Sequence, residues 1–281
     1  MAALRADYPL RNDCEAIDRG RAVIKRGFWI AWGIVAHLVF LGTVVAIFRF
    51  LSGPESPGGS TSLWAALVDV FGASVFFVSH SLLLHPATRK LLSGWIPSPA
   101  YGVFFCMVTC VAQLLMIYNW QPLAGAVWEL HGPARIAMRG AYCGAWIMLL
   151  YSLYLAGVGY QTGWTAWWPW IRGREVPNRP FAPRSLFLWL RHPVYLSFLG
   201  LIWLTPCMTY DRALLTALWT PYVFIGSWLK DRRLEYYIGE PYRAYEARVP
   251  GYPGMFFGGM GRIRLRQPVS PESGPALSGG A

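Results

Sequence analysis

Four apolar runs, each long enough to cross the hydrocarbon core of a bilayer, constrain this chain more than any other feature. A crossing helix needs about 20 apolar residues, because each residue advances it by only about 1.5 Å. Residues 28–51, 63–84, 100–120 and 140–163 meet that length. The first run is too long for a signal peptide, and no small-residue cleavage site follows it. A fifth stretch, 194–229, is too long for one crossing and is broken by Thr205-Pro206 and Asp211-Arg212, so it predicts a tight helical hairpin. The expected architecture is an all-α integral membrane bundle of about six spans. The last two form the hairpin, and a short amphipathic cytoplasmic helix follows.

Charge is sparse and unevenly placed. Only 14% of residues are charged, against about 25% in soluble domains, so lipid is the expected solvent. The net charge of +11 would suggest nucleic acid in a soluble protein, but here the basic residues lie between apolar runs. They read as topology signals and contacts for anionic lipid headgroups, with no nucleic-acid partner. Residues 1–27, 85–99, 164–193 and 230–281 together hold 21 Lys and Arg, whereas 52–62, 124–139 and 209–213 hold 3. That bias predicts an even number of spans with both termini cytoplasmic.

The expected organisation is a cytoplasmic tail over 1–27 and a four-span region over 28–163. A cofactor-binding loop, hairpin and C-terminal motif would occupy 164–253, followed by a tail over 254–281. The tail is Pro-, Ser- and Gly-rich from about 268 and should be disordered there. Residues 52–62 read as a flexible external loop. The five cysteines, Cys14, Cys106, Cys110, Cys143 and Cys207, form no CxxC and no zinc spacing, so neither a metal nor a disulfide framework is expected.

Two polar segments can carry chemistry. In Arg191-His192-Pro193-Val194-Tyr195, Pro193 suits the first turn of a helix, which places Arg191 and His192 just outside the helix start. A helix N-terminus beside an Arg suits an anion such as a carboxylate; an interfacial Arg-His pair facing headgroups is the structural alternative. The second segment runs Lys230-Asp231-Arg232-Arg233-Leu234-Glu235, then Gly239-Glu240-Pro241-Tyr242-Arg243-Ala244-Tyr245 and Val249-Pro250. Tyr242 and Tyr245 are spaced i, i+3 and share a helix face; a juxtamembrane helix anchored in headgroups is the alternative here.

Together these segments resemble the isoprenylcysteine carboxyl methyltransferase superfamily, whose pattern is RHPxYxG, a span hairpin, a Glu-containing stretch and GxxYxxYxxxVP. Within it, the turn Trp203-Leu204-Thr205-Pro206-Cys207-Met208-Thr209 is similar to that of the branch holding methanethiol S-methyltransferases and nurim-like proteins. Phe77-Val78-Ser79-His80-Ser81 with His85-Pro86, and Trp120-Gln121-Pro122, resemble further motifs of that branch. The resemblance covers roughly residues 70–253. Ser197 stands where the superfamily has Gly, Lys230 replaces one of an acidic pair, and the 163–185 connection does not match.

The resemblance implies a methyltransferase that uses S-adenosyl-L-methionine and acts on a small thiol, converting methanethiol to dimethyl sulfide in a bacterial inner membrane. It assigns Arg191, His192 and Pro193 to the donor's carboxylate and Asp231 or Glu235 to its ammonium or ribose. Tyr195, Tyr242 and Tyr245 would pack on its adenine or sulfonium. His80, an ionisable residue inside a span, with Ser81 beside it, would orient and deprotonate the thiol. A larger isoprenylated or lipid-like acceptor, a haem protein using His37, His80, His85 and His192, and a non-catalytic nurim-like protein are the alternatives.

Overall fold

The computed structural model describes residues 9–53, 58–177, 180–255 and 257–262, with side chains from residue 26 onward. In chain order the elements are α1 (Pro9–Leu51), α2 (Leu63–Leu84), α3 (Pro86–Leu92), α4 (Tyr101–Asn119) and β1 (Ala126–Glu129). They continue with α5 (Gly132–Ala156), α6 (Val158–Gln161), α7 (Trp164–Ile171), α8 (Pro193–Trp203), β2 (Cys207–Thr209), α9 (Tyr210–Ile238) and α10 (Glu240–Glu246). Among the described residues, four helical segments are long and apolar enough to cross a membrane: Arg26–Leu51, Leu63–Leu84, Ser98–Asn119 and Gly132–Ala156. The protein is therefore a multi-pass helical membrane protein.

The first three apolar runs lie on α1, α2 and α4, but the fourth is displaced. Gly132, with φ +57°, and Pro133 open α5 eight residues before the expected 140. Residues 132–139 are rich in Ala, Arg and Met, which propagate a helix even though they are not uniformly apolar. Gly157, at φ +83°, ends α5 at Ala156 and separates it from α6. At the other end of the chain, α1 already begins at Pro9, inside the expected tail. The disorder expected from about 268 lies outside the described residues.

The chain divides into two compact units. One comprises the chain to Pro180 with Val194–Gly226; the other comprises Phe181–Pro193 and the chain from Ser227. This division cuts through the expected 164–253 segment, and α9 contributes to both units.

In the first unit α1 and α2 pack on α4. A core of Leu51, Ala73, Met116, Ala145, Leu149, Leu201, Ile202 and Leu215 joins them to α5, α8 and α9. Tyr101 Oη donates to Leu83 O at 2.7 Å, and Asp69 of α2 accepts Gln121 N at 2.7 Å just past the end of α4. The start of α7 touches α4 through glycines. A Cβ on Gly102 would lie 2.7 Å from Gly163 Cα, and Gly163 itself has φ +81°, so both positions exclude larger residues. Large apolar side chains such as Leu38, Leu41 and Phe71 point outward, as they must where hydrocarbon is the solvent.

The hairpin has a feature not read from sequence. α8 has only 11 residues, about 16 Å of helix, and Ser185–Leu188 forms a separate 3-10 turn instead of lengthening it. Past Pro206 the chain becomes strand β2, which pairs antiparallel with β1 in the register Ala126↔Thr209, Trp128↔Met208 and Glu129↔Cys207. Trp128 Nε1 donates to Thr205 O at 3.1 Å, and Leu130 N to Pro206 O at 2.9 Å. Thr216 Oγ1 donates to Ile202 O at 3.0 Å, tying α9 to α8.

The second unit is smaller. Its core is Tyr242, Tyr245 and Val249, with Leu234 and Ile238 packed against them. The segment 191–192 is laid against 250–251 by Arg191 N→Pro250 O (2.9 Å) and His192 N→Gly251 O (3.2 Å).

Candidate functional site

The second unit gathers most of the expected cofactor residues around one carboxylate. Asp231, on the last part of α9, is 3% exposed and faces three donors. Arg191 Nη2 lies 3.1 Å and His192 Nε2 3.0 Å from its Oδ2, and Tyr242 Oη donates to Oδ1 at 2.5 Å. Burial alone would raise the Asp231 carboxyl. The His192 hydrogen bond, the Arg191 charge and the Tyr242 hydroxyl outweigh it and hold the carboxyl below the usual range. Burial pushes the His192 imidazole down despite Asp231, so it stays neutral and donates Nε2–H. Burial and then the Asp231 charge push the Tyr242 phenol up, which keeps it a donor.

Both terminal nitrogens of Arg191 are held. Its Nη1 donates to Glu246 O (3.3 Å) and Gly261 O (3.2 Å), and its Nη2 to Gly259 O (3.3 Å). Glu246 Oε1 stands 3.9 Å from Nη1, too far for a hydrogen bond. Burial raises the Glu246 carboxyl, as does the charge of Asp231. Gly251 permits the crossing of 191–192 with the 259–261 turn, because a Cβ there would lie 2.8 Å from Met260 O and 3.2 Å from His192 Cδ2. Tyr252 packs its ring 5.5 Å from His192 and bonds Ser227 Oγ through its hydroxyl.

Tyr245 donates to Phe187 O at 2.5 Å, and Phe181 sets its edge or face 5.5 Å from both Tyr242 and Tyr245. Glu235 is apart from the buried cluster, paired with Arg243 Nε at 2.8 Å and Arg232 Nη1 at 3.2 Å near the surface.

The first unit contains the other expected residues. His80 Nδ1 lies 2.7 Å from Tyr222 Oη, and Ser81 Oγ lies 3.4 Å from the same oxygen. Tyr222 stacks on Phe77 at 3.9 Å, and Phe76 stacks on both His80 (5.5 Å) and Trp219 (5.2 Å). The His80-Ser81 pair on α2 is thus positioned by α9. Tyr195 lies half-buried on the first turn of α8, which Pro193 opens.

Of the imidazoles relevant to a haem, His37 donates Nδ1–H to Gly33 O at 2.7 Å, and His85 Nδ1 accepts Ala87 N at 3.2 Å as the cap of α3. His80 and His192 are engaged as described.

Sequence reading missed Glu246, Tyr252, Ser227 and Tyr222. Glu246 and Tyr252 lie inside or just beyond the GEPYRAYEARVP segment and were within reach of it. Nothing local marks Ser227 or Tyr222, whose partners are 25 and 142 residues away in the chain.

No family model matches the chain, and no solved structure does. Characterised relatives do. The chain is 26% identical to methanethiol S-methyltransferase 1 of Bradyrhizobium diazoefficiens over 225 residues, 78% of this chain and 79% of that protein. It is 25% identical to the methanethiol S-methyltransferase of Mycobacterium tuberculosis over 237 residues, 80% of this chain and 96% of that protein. It is also 24% identical to nurim of Mus musculus over 231 residues, 72% of this chain and 88% of nurim. By sequence the chain is similar both to the methanethiol S-methyltransferases and to nurim.

Proposed function

We propose that the protein is a membrane-embedded, S-adenosylmethionine-dependent methyltransferase that converts methanethiol to dimethyl sulfide. The observation that carries this reading is the likeness to proteins named methanethiol S-methyltransferase across 78% of the chain. The expected topology is six crossings with both termini cytoplasmic, supported by the distribution of basic residues.

The buried cluster fits the amino-acid end of the donor. Arg191 Nε is buried with no hydrogen-bond partner among the described residues, which leaves a donor for a carboxylate. The Glu246 side chain, only loosely paired, offers an acceptor for an ammonium. Arg191 and the start of α8 at Pro193 would hold the carboxylate. The rings of Phe181 and Tyr245 would face the adenine or the sulfonium. Asp231, which accepts from three protein donors, would orient Arg191 and His192 and keeps acceptor capacity for the donor's ammonium or ribose.

S-adenosylmethionine supplies an electrophilic methyl group on its sulfonium. The chain's part is to bind, orient and deprotonate, since displacement at a methyl carbon needs alignment and exclusion of water. A thiol reacts as its thiolate. With Nδ1–H of His80 donated to the Tyr222 oxygen, Nε2 of the same ring takes the thiol proton as the S–H bond breaks. Ser81 and Tyr222 hold the imidazole in that tautomer.

The likeness to nurim supports a second reading, a membrane protein of this branch without methyl transfer. One preparation separates the two. The detergent-purified protein is titrated with S-adenosylhomocysteine by calorimetry, then supplied with S-adenosylmethionine and methanethiol while the headspace is analysed. Saturable binding and dimethyl sulfide that depends on both substrates are expected. Binding without dimethyl sulfide would move the acceptor to a larger lipid-like thiol or carboxylate, and absence of binding would favour the nurim-like reading.

A further inference from the structure

Rings from three helices stand against His80. Phe76, one turn back on α2, stacks on the imidazole with centroids 5.5 Å apart and planes at 29°. Tyr222 of α9 stands at 6.2 Å and 71°, and Phe105 of α4 at 5.3 Å and 54°. Rings at these separations are in van der Waals contact, so no sulfur atom fits between the imidazole and any of the three. A thiol that reaches His80 must lie alongside these rings, with its alkyl group against them.

The three rings differ in what holds them. Phe76 also stacks on Trp219 at 5.2 Å, Tyr222 stacks on Phe77 at 3.9 Å, and Phe77 meets Trp219 edge-on at 5.2 Å. The α2–α9 side is thus a braced set of four rings. Phe105 stands apart from it. Its ring touches no other aromatic ring among the described residues, and its neighbour Phe104 turns instead to Trp32 of α1 at 6.2 Å. Phe105 is half-buried and is not part of the apolar core that joins these helices. A ring that serves neither the core nor the stack, yet has its centroid nearest the imidazole of the three, is placed as a wall of the acceptor space.

We propose that Phe105 is a specificity-determining residue, the wall that limits the length of the thiol accepted at His80. This rests on the reading of His80 as the group that takes the thiol proton. An alkyl thiol offers few polar handles, so room for its carbon chain decides which one reacts. A longer chain must displace Phe105 or the braced rings, and forcing extra methylenes against packed side chains is unfavourable. One methylene in an apolar pocket changes specificity by about 10–200-fold.

The test uses full-length, detergent-purified protein with S-adenosylmethionine and, in turn, methanethiol, ethanethiol and 1-propanethiol. The thioether in the headspace gives kcat/KM for each, and the thermal midpoint checks that each variant is folded. The natural protein should use 1-propanethiol at least about tenfold less well than methanethiol. Phe105→Ala should raise the ratio of 1-propanethiol to methanethiol by at least about tenfold, the scale of one methylene. Phe105→Leu should shift it less in the same direction, and it decides the matter if the alanine variant does not fold. Phe104→Ala, one residue away on α4 and packed against α1, should leave the ratio unchanged. An unchanged ratio in folded Phe105 variants, or an equal shift in Phe104→Ala, overturns the proposal. So does a natural protein that uses both thiols equally well, and each of these results leaves the methyltransferase reading standing. A natural protein that methylates none of the three thiols overturns that reading and the proposal with it, before any variant is made.

Discussion

Asp231 concentrates three donors from Arg191, His192 and Tyr242 on two oxygens, and the side chains of Arg191, His192 and Asp231 are 0–4% exposed. Breaking a buried pair by removing one partner strands the other charge, at a cost of about 3–5 kcal/mol. Asp231→Asn should therefore lower the thermal midpoint sharply and weaken S-adenosylhomocysteine binding, since Arg191 loses its anchor. The same residue sets an acid limit. Its folded carboxyl titrates below the unfolded one, so its stabilisation is present above the ordinary aspartate value of about 3.9 and is lost as pH falls further. Neutral His192 adds an earlier loss, beginning near the ordinary histidine value of about 6.5, because the unfolded imidazole takes a proton that the folded one resists. Melting the natural protein from pH 7 to pH 3 should show stability falling in both ranges, and Asp231→Asn should remove the lower one. A flat profile below pH 5 in the natural protein would sink this account. At this scale the sequence was informative for Arg191, His192, Asp231, Tyr242 and Tyr245, because short motifs carry them. It was silent on Tyr222, which meets His80 only when α9 packs against α2.

Among the elements, α8 is the one whose length and purpose diverge. With 11 residues it is shorter than the hydrocarbon core of about 30 Å, and the chain continues from it through the turn into strand β2. The β1–β2 ribbon depends on Gly125, which has φ +101° and where a Cβ would lie 2.5 Å from the Tyr210 ring. Gly125→Ala should lower the thermal midpoint by the equivalent of about 1–3 kcal/mol, the cost of a strained backbone, and more if Tyr210 cannot shift. Binding of S-adenosylhomocysteine should survive, as Gly125 touches none of the residues proposed to hold it. An unchanged midpoint would mean that the ribbon does not hold the turn. The strands themselves were not legible. Each has three or four residues, Ala126–Glu129 and Cys207–Thr209, too few for an alternating pattern, and their pairing joins segments about 80 residues apart. The early start of α5 escaped for a different reason: hydropathy registers the apolar run, whereas Gly132 and Pro133 decide where the helix begins.

For the whole molecule, α4 and α5 are crossing candidates and β1 lies between them, so the pairing of β2 with β1 carries the α8–α9 turn to the same end of the first unit as the α4–α5 connection. This supports counting the hairpin as two crossings. Reporters fused to each terminus, such as alkaline phosphatase and a fluorescent protein, should both report the cytoplasm. A reporter inserted at 58–60 should report the opposite side, and an external C-terminus would refute the six-crossing topology. What the sequence determined by itself was the solvent, the class of fold and the proteins it resembles, because apolar length, charge bias and short motifs are local properties that survive without coordinates. Only the tertiary structure decided that Asp231 gathers three protein donors, that His80 is steered by Tyr222, and that three scattered arginines share one cavity. Those facts depend on which helix ends meet, and that is settled by the packing of whole helices rather than by any window of the chain.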